Sequence, residues 1–227
     1  MTLIVHHLQV SQSERIPWLC EELGIDYELK NYKRAPIFAP PEYKALHPQG
    51  TAPIIQDGDL FLAESGACIE YIYNKHGPSN PSGPKLFLEP SDPAYAEFLY
   101  WWHWSNTNFQ ASISRSMLVQ SAGLGDDNPT VKYGRERFAT SLKILEDRLK
   151  GNKWLVGEKF TVADIMIVFS LTTMRNWHPY SLRDYANILS YLQRVSERET
   201  YRRAMKKSDP DMELILGAES PSKPFLM

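Results

Sequence analysis

The sequence predicts an α+β protein in which a domain of strands and helices, residues 1–77, precedes an all-α domain, residues 93–227. Three observations lead to this prediction. Strand and helix patterns alternate up to about residue 76. Residues 78–92 are rich in proline, glycine and serine, which is typical of a linker. Beyond that linker only helical periodicity remains.

The N-terminal elements are short apolar runs separated by turn residues. Gly24 stands where a helix-ending glycine is expected, and Asp57-Gly58 between two apolar triplets predicts a hairpin. Strands joined by a helix are expected to be parallel, and hairpin strands antiparallel. The predicted order is strand, helix, strand, short helix, hairpin and helix, at residues 3–7, 13–23, 26–31, 41–46, 53–62 and 64–74. This order is the thioredoxin-like arrangement.

The C-terminal elements are predicted from caps and from helical spacing. Asp92-Pro93 can begin a long helix, and Thr161 with Asp164 has the form of a capping box. The predicted helices cover residues 93–122, 129–150, 165–175, 185–196 and 199–208.

Residues 47–72 carry the most specific binding signal. Pro53 heads a hairpin strand after a polar turn, a place where a cis peptide costs only about 0.5–1 kcal/mol. Ser65 begins a helix, whose free N–H groups and positive dipole end suit a small carboxylate. A backbone edge before the proline and a helix N-terminus after the hairpin together predict a site for a short peptide.

Composition excludes several classes of function. The formal net charge of −2 over 227 residues provides no broad basic surface, so a nucleic-acid partner is not expected. Cys20 and Cys68 lie in helical patterns with no metal-ligand spacing, which predicts buried thiols in a reducing compartment and no metal. Because no apolar run resembles a signal peptide or a transmembrane segment, a cytoplasmic protein is expected.

Four segments together carry a family resemblance. They are HPQGTAP at 47–53, LAESGACIEYI at 62–72, FTVAD at 160–164, and the strand-helix-strand pattern of residues 10–28. With them, almost the whole chain resembles the cytosolic glutathione S-transferases. Residues 32–48 are similar to the fungal, yeast-type members of this superfamily, with a serine-type active site. The resemblance implies a homodimer that uses glutathione as a co-substrate, without a further cofactor.

The implied reaction is attack of the glutathione thiolate on a small hydrophobic electrophile or a hydroperoxide, for detoxification. A hydroxyl that donates to the thiolate contributes about 1.5–3 kcal/mol and lowers a thiol pKa of about 8.5 by one to two units. The family places this hydroxyl four residues before a helix arginine, which selects Ser11 relative to Arg15. Ser13 is the alternative, either as the activator or as an ordinary helix N-cap.

The resemblance also implies how glutathione is held. Ala52, before Pro53, presents its backbone to the cysteinyl part, while Glu64 and Ser65 hold the γ-glutamyl end. The glycyl carboxylate requires a cation, for which Lys44 is the candidate. The family often has Lys, Arg or Gln where this chain has the uncharged Thr51, so that affinity is weaker unless another residue such as Gln49 compensates.

The acceptor site is expected on the helical domain, near an aromatic run at residues 100–104. Trp101, Trp104 and Asn108 are the candidates, and packing in the core or in a dimer interface is the alternative for each. Two other functions remain open: another glutathione-dependent enzyme, such as a disulfide reductase or an ether-cleaving enzyme, and a non-catalytic ligand-binding protein.

Overall fold

The computed structural model describes residues 2–77 and 83–221, so residues 78–82 of the predicted linker lie outside the described part of the chain. The chain divides into two compact units. The first contains Met1–Lys85 and Val195–Leu214, and the second contains Leu86–Arg194 and Ile215–Met227. These units differ from the predicted domains at one place, because residues 195–214 were expected in the helical domain and pack in the first unit instead.

A four-stranded sheet organises the first unit. Its strands are β1 (Leu3–Leu8), β2 (Tyr27–Tyr32), β3 (Ile54–Asp57) and β4 (Leu60–Ala63), in the order β2-β1-β3-β4. β1 and β2 are parallel, whereas β3 is antiparallel to both β1 and β4. The predicted thioredoxin-like domain, with its parallel pair and its hairpin, is therefore confirmed.

The helices fall close to their predicted positions. In chain order they are α1 (Arg15–Leu23), α2 (Pro41–Lys44), α3 (Ser65–His76), α4 (Tyr95–Trp104), α5 (Ala111–Ser121), α6 (Pro129–Leu149), α7 (Val162–Leu171), α8 (Ala186–Glu197) and α9 (Glu199–Ser208). Gly24 ends α1 with a left-handed φ of 63°, which a glycine adopts without steric strain. The predicted start of α1 is a single 3-10 turn, Gln12–Glu14.

Apolar side chains fill the first unit around the sheet. Leu3, Val5, Ile16, Leu19 and Ile69 are almost completely buried. A second cluster contains Leu8, Tyr43, Ala52, Ile54 and Ala63. Burial of each large apolar side chain contributes about 1.5–3 kcal/mol, so these clusters hold the loops at the sheet ends in fixed positions.

Helix α9 is fastened to α1 by a buried carboxylate. Glu22, whose side chain is 3% exposed, accepts from Arg198 Nε and NH2 at 2.8 and 2.6 Å and from Trp18 Nε1 at 2.9 Å. Thr200 also donates to Glu22, and the Trp18 and Tyr201 rings meet edge to face at 4.8 Å. Because α9 is held against α1, the residues that follow α9 lie next to the sheet.

The second unit is helical. The long helix predicted for residues 93–122 is α4 and α5 joined through one π-helical segment, Ser105–Gln110. The predicted capping box is confirmed, because Thr161 and Asp164 exchange hydrogen bonds at the start of α7. The buried Asp164 also accepts from Leu155 N–H at 3.0 Å and from Tyr191 Oη at 3.1 Å. Burial raises the pKa of Asp164 to about 6 despite these donors.

Candidate functional site

Ser11 and Ser13 lie side by side in the loop between β1 and α1. Their hydroxyl oxygens are 2.7 Å apart, and Ser11 Oγ donates to the Leu8 carbonyl oxygen at 2.7 Å. Ser11 caps the 3-10 turn by accepting from Ser13 N–H at 3.2 Å. Ser11 is 5% exposed and Ser13 is 0% exposed, so of these two predicted activators only Ser11 presents any surface to a ligand.

Two residues that sequence reasoning missed lie behind the serines. His7 Nδ1 is 2.9 Å from Ser13 Oγ, and His7 Nε2 is 2.9 Å from Asp209 Oδ2. Both carboxylate oxygens of Asp209 accept from Val10 N–H at 3.1 Å. Since Asp209 is 202 positions away from His7, no local pattern could pair them. The only available signal was a pair of histidines, His6 and His7, in an otherwise apolar strand.

The loop that carries Ser11 has a constrained backbone. Val10 has a φ of 49°, which is rare for a β-branched residue and costs of order 1–3 kcal/mol. Arg34 holds the carbonyl side of this loop, with Nε 2.7 Å from Gln9 O and NH2 3.1 Å from Val10 O. Burial lowers the pKa of Arg34 to about 10, so that the guanidinium remains charged near pH 7. Arg34 therefore holds this loop through its carbonyl oxygens, and Asp209 holds it through the Val10 N–H.

Gln12 and Arg15 join the three segments of the predicted binding site. Gln12 Nε2 donates to the Ala52 carbonyl oxygen at 2.7 Å, while its Oε1 accepts from Arg15 NH1 at 3.2 Å. Arg15 NH1 also donates to Ser65 Oγ at 3.0 Å. Burial lowers the pKa of Arg15 to about 9, which leaves it charged near pH 7. The serine loop, the residue before Pro53 and the start of α3 are thus linked by two side chains.

The segment that the sequence marks as a peptide-binding site, residues 47–72, has the expected backbone conformation. The Ala52-Pro53 peptide is cis, as the polar turn before Pro53 suggested. Ser65 is the first residue of α3 and is 2% exposed. Glu64, before it, is exposed, has a φ of 77° and accepts from Gln49 Nε2 at 2.6 Å.

The two other predicted glutathione contacts are exposed and less constrained. Lys44, the last residue of α2, has its ammonium 5.9 Å from the centre of the Phe38 ring. Its side chain also lies beside Gly50, whose φ of 62° makes the turn before Thr51. Thr51 is exposed and brings no charge to this turn.

The predicted acceptor residues belong to the helical unit, and two of them are packed. Trp101 and Trp104 are 5% and 6% exposed, and their rings meet at 5.1 Å. Trp104 also stacks on Phe109, and the Arg148 guanidinium lies 5.7 Å from the Trp101 ring centre. Asn108 is exposed. The packing of the tryptophans agrees with the alternative of a core role, and an acceptor role for all three residues stays a prediction.

Comparison with known proteins identifies the family. Residues 11–75 match the glutathione S-transferase N-terminal domain, and residues 109–199 match the C-terminal domain. Glutathione S-transferase 3 of Schizosaccharomyces pombe is 30% identical, over 98% of this chain and 95% of its own length. The chain belongs to the glutathione S-transferase family. Glutathione S-transferase 1 of Saccharomyces cerevisiae is 26% identical, over 90% of this glutathione transferase and 94% of its own chain.

Solved structures agree with this assignment. A glutathione S-transferase from Actinobacillus pleuropneumoniae is 34% identical with a TM-score of 0.80, covering 92% of this glutathione transferase and 95% of its own chain. A family member from Pseudomonas fluorescens with two glutathione molecules bound has a TM-score of 0.68 at 18% identity, covering 90% and 92% of the respective chains, which shows the shared fold. The resemblance to the family and to its fungal members is confirmed, and the serine-type active site stays a prediction.

Two features are absent from the described part of this glutathione transferase. Among residues 2–77 and 83–221, no three His, Cys, Asp or Glu side chains are grouped as metal ligands would be. Over the same part of the chain, none of the helices has the length and apolar character that crossing a bilayer requires.

Proposed function

We propose that this enzyme conjugates the thiolate of glutathione to small hydrophobic electrophiles, with Ser11 as the residue that stabilises the thiolate. The observation that carries the proposal is the linkage of three segments around Ser11. Gln12, its neighbour, binds both Ala52 and Arg15, and Arg15 binds Ser65. The residues assigned to the sulfur, to the cysteinyl backbone and to the γ-glutamyl carboxylate thus belong to one hydrogen-bonded unit.

The hydroxyl of Ser11 is suited to this role by its position. It lies at the first turn before α1, where free N–H groups and the helix dipole favour a negative charge. It is also the less enclosed of the two serines. A charge-assisted hydrogen bond of about 1.5–3 kcal/mol lowers the thiol pKa by one to two units, which makes the thiolate a major species near neutral pH.

The tripeptide is proposed to lie along the first unit. Ala52 pairs with its cysteinyl backbone, as an added strand would. Ser65 binds the γ-glutamyl carboxylate at the N-terminus of α3, with Glu64 beside the ammonium group. Lys44 binds the glycyl carboxylate. Gln49, whose Nε2 donates to Glu64 at 2.6 Å, is proposed to compensate for the charge that Thr51 does not supply.

Further parts of the proposal come from the family alone. A hydroperoxide is reduced to the alcohol and water while two glutathione molecules are oxidised to the disulfide. The enzyme acts in the cytoplasm, in detoxification, as a homodimer in which α3 and α4 meet their partner copies. Trp101, Trp104 and Asn108 are the candidates for contact with the electrophile. Sedimentation analysis tests the dimer, and disulfide formation with an organic hydroperoxide tests the second reaction.

The decisive experiment compares Ser11→Ala with Ser13→Ala. Glutathione affinity is measured by calorimetry, and kcat/KM is measured with a chlorinated dinitrobenzene. Losing the Ser11 hydroxyl is expected to lower kcat/KM by about 10- to 150-fold near neutral pH, from about 1.5–3 kcal/mol. Glutathione affinity should change little, because the peptide contacts remain.

Two results would overturn this proposal. One is undiminished turnover in Ser11→Ala, which would remove the mechanism while leaving an enzyme. The other is an absence of binding heat with millimolar glutathione, which would remove the substrate. Binding without turnover of any acceptor would favour the ligand-binding alternative.

A further inference from the structure

A continuous row of polar groups runs from Asp209 to Ser11. Its four contacts are Asp209 Oδ2 to His7 Nε2 at 2.9 Å, His7 Nδ1 to Ser13 Oγ at 2.9 Å, Ser13 Oγ to Ser11 Oγ at 2.7 Å, and Ser11 Oγ to Leu8 O at 2.7 Å. The four residues that contribute side chains are each at most 5% exposed. Bulk water therefore does not compete for these contacts, and each needs a hydrogen of its own.

The number of hydrogens that these groups supply determines which of them are protonated. A carbonyl and a carboxylate supply none, the two serine hydroxyls supply one each, and a neutral imidazole supplies one. Three hydrogens cannot fill four contacts, and the unfilled one would place two lone pairs 2.7–2.9 Å apart. An imidazolium supplies the fourth hydrogen, so that every group in the row is satisfied.

The surroundings of Asp209 place that fourth hydrogen on His7. Asp209 accepts from His7 through Oδ2 and from Val10 N–H through both oxygens, which is the pattern of a carboxylate rather than a carboxylic acid. Arg34 also interacts electrostatically with Asp209. The arrangement is therefore an ion pair of Asp209 with doubly protonated His7.

We propose that this ion pair positions and polarises the hydroxyls of Ser13 and Ser11 toward the glutathione sulfur. The inference rests on the proposed role of Ser11 and adds His7, Asp209 and Ser13 as positioning residues. In the free protein the Nε2 hydrogen of His7 points to Asp209, and the hydrogens on His7 Nδ1, Ser13 Oγ and Ser11 Oγ point toward Leu8 O. When glutathione binds, only the Ser11 hydrogen turns, from Leu8 O to the sulfur, and its thiol proton leaves to water.

The row supplies a positive charge near the sulfur, in addition to orienting the serine hydroxyls. Hydrogen bonds in a chain polarise one another, and this occurs in a buried region where the effective dielectric is low. The positive imidazolium stands two hydroxyls from the sulfur, so it stabilises the thiolate more than the neutral thiol. His7 accepts no proton in this scheme, because both of its nitrogens already carry one.

Several other charged groups on the elements around His7 have partners of their own. These pairs or contacts are Glu14 with Arg15, Glu22 with Arg198, Glu28 with Lys30, Glu21 with Lys207, and Arg34 with the carbonyl oxygens of residues 9 and 10. Asp209 is the charged group in direct contact with His7.

The protonation is tested directly by nitrogen NMR of the full chain with labelled histidine, without glutathione. At about pH 7.5, where an ordinary histidine is mostly neutral, His7 is expected to show both ring N–H groups. Correlation to the backbone of β1 assigns its signals, so no variant has to fold. A single ring N–H on His7 would overturn the inference and leave the proposal for Ser11 untouched.

The effect on the sulfur is tested with Asp209→Asn and His7→Gln. Ultraviolet titration of bound glutathione should show its thiol pKa raised by about one unit in each, roughly a tenfold loss of thiolate near neutral pH. In the pH profile, kcat/KM should fall about tenfold at low pH and rejoin the wild type where the thiol ionises fully. Structural damage alone would lower the whole profile.

Matched controls are available for both changes. Asp211→Asn alters an exposed carboxylate two positions after Asp209, and His6→Gln alters the neighbouring buried histidine, which contacts Tyr32. Both should leave the thiol pKa unchanged. An unchanged thiol pKa in Asp209→Asn and His7→Gln, while Ser11→Ala raises it, would refute the positioning role alone. An unchanged value in Ser11→Ala as well would refute the proposed function.

Discussion

The attachment of α9 to α1 through Glu22 can be tested by Glu22→Gln. The glutamine keeps the shape of the side chain and removes its charge. Four donor contacts converge on the carboxylate, two of them from the Arg198 guanidinium in a bidentate pair. In the variant, the amide nitrogen faces one arm of that guanidinium, so that two donors oppose each other.

The expected loss of stability in Glu22→Gln follows from the burial of the ion pair between Glu22 and Arg198. Breaking a buried ion pair by changing one partner costs about 3–5 kcal/mol. Because the Arg198 side chain is 27% exposed, water can solvate part of it, and we expect the lower limit, about 3 kcal/mol. For a chain of this size that corresponds to a fall in Tm of roughly 6–12 °C.

The assay is urea unfolding followed by circular dichroism, with Glu199→Gln as the control. Glu199 pairs with Arg203 on the same helix, but its side chain is 73% exposed, so its loss should cost less than about 1 kcal/mol. If both variants lost the same stability, Glu22 would not be the residue that fastens α9. A changed slope of the unfolding transition would instead show that the substitution alters the surface exposed on unfolding or the two-state character of the transition.

Two further predictions concern the first unit. Asp57→Asn should destabilise near pH 7, with urea midpoints that converge on those of wild type as the pH falls below about 4. Burial alone would raise the pKa of Asp57, but three donors on α3 outweigh this effect and lower the pKa: Tyr71, His76 and Lys75. The stabilisation from these contacts therefore exists above the pKa of the unfolded chain and is lost on acidification. Asparagine before Gly58 suits the hairpin turn equally well, so a pH-independent loss would contradict this explanation. Cys20 and Cys68 should not react with a disulfide reagent until the chain is denatured, because burial raises the pKa of both thiols, that of Cys68 to about 12. Rapid reaction of either native thiol would show that it is accessible.

Local signals in the sequence were sufficient for most of the architecture. Gly24 ends α1, Asp57-Gly58 turns the hairpin and Thr161 begins α7, because each of these features depends on a few adjacent residues. The π-helical segment Ser105–Gln110 was not predicted, since its residues fit an ordinary helix equally well. The placement of α9 was also missed, because an amphipathic pattern shows that a face is buried and not against which element.

In the candidate site, too, some residues could be proposed from the sequence and others could not. Ser11, Ser13 and Ser65 could be proposed as candidates from the sequence because each lies at a helix start that the sequence marks. Gln12 looked like an ordinary turn residue, yet it joins the serine loop to Ala52. Partners such as Asp209 come from the far end of the chain, and only the folded sheet brings them together.

The position of Asp209 also has a consequence for biosynthesis. The N-terminal sheet has all its strands by residue 63, whereas the carboxylate that holds the Val10 peptide follows α9. At about 5–20 residues per second, a ribosome needs roughly 7–30 s to make the intervening chain. During that interval the nascent first unit lacks both α9 and the acceptor for Val10 N–H. Its serine loop can reach its final form only after nearly all of these 227 residues have been translated.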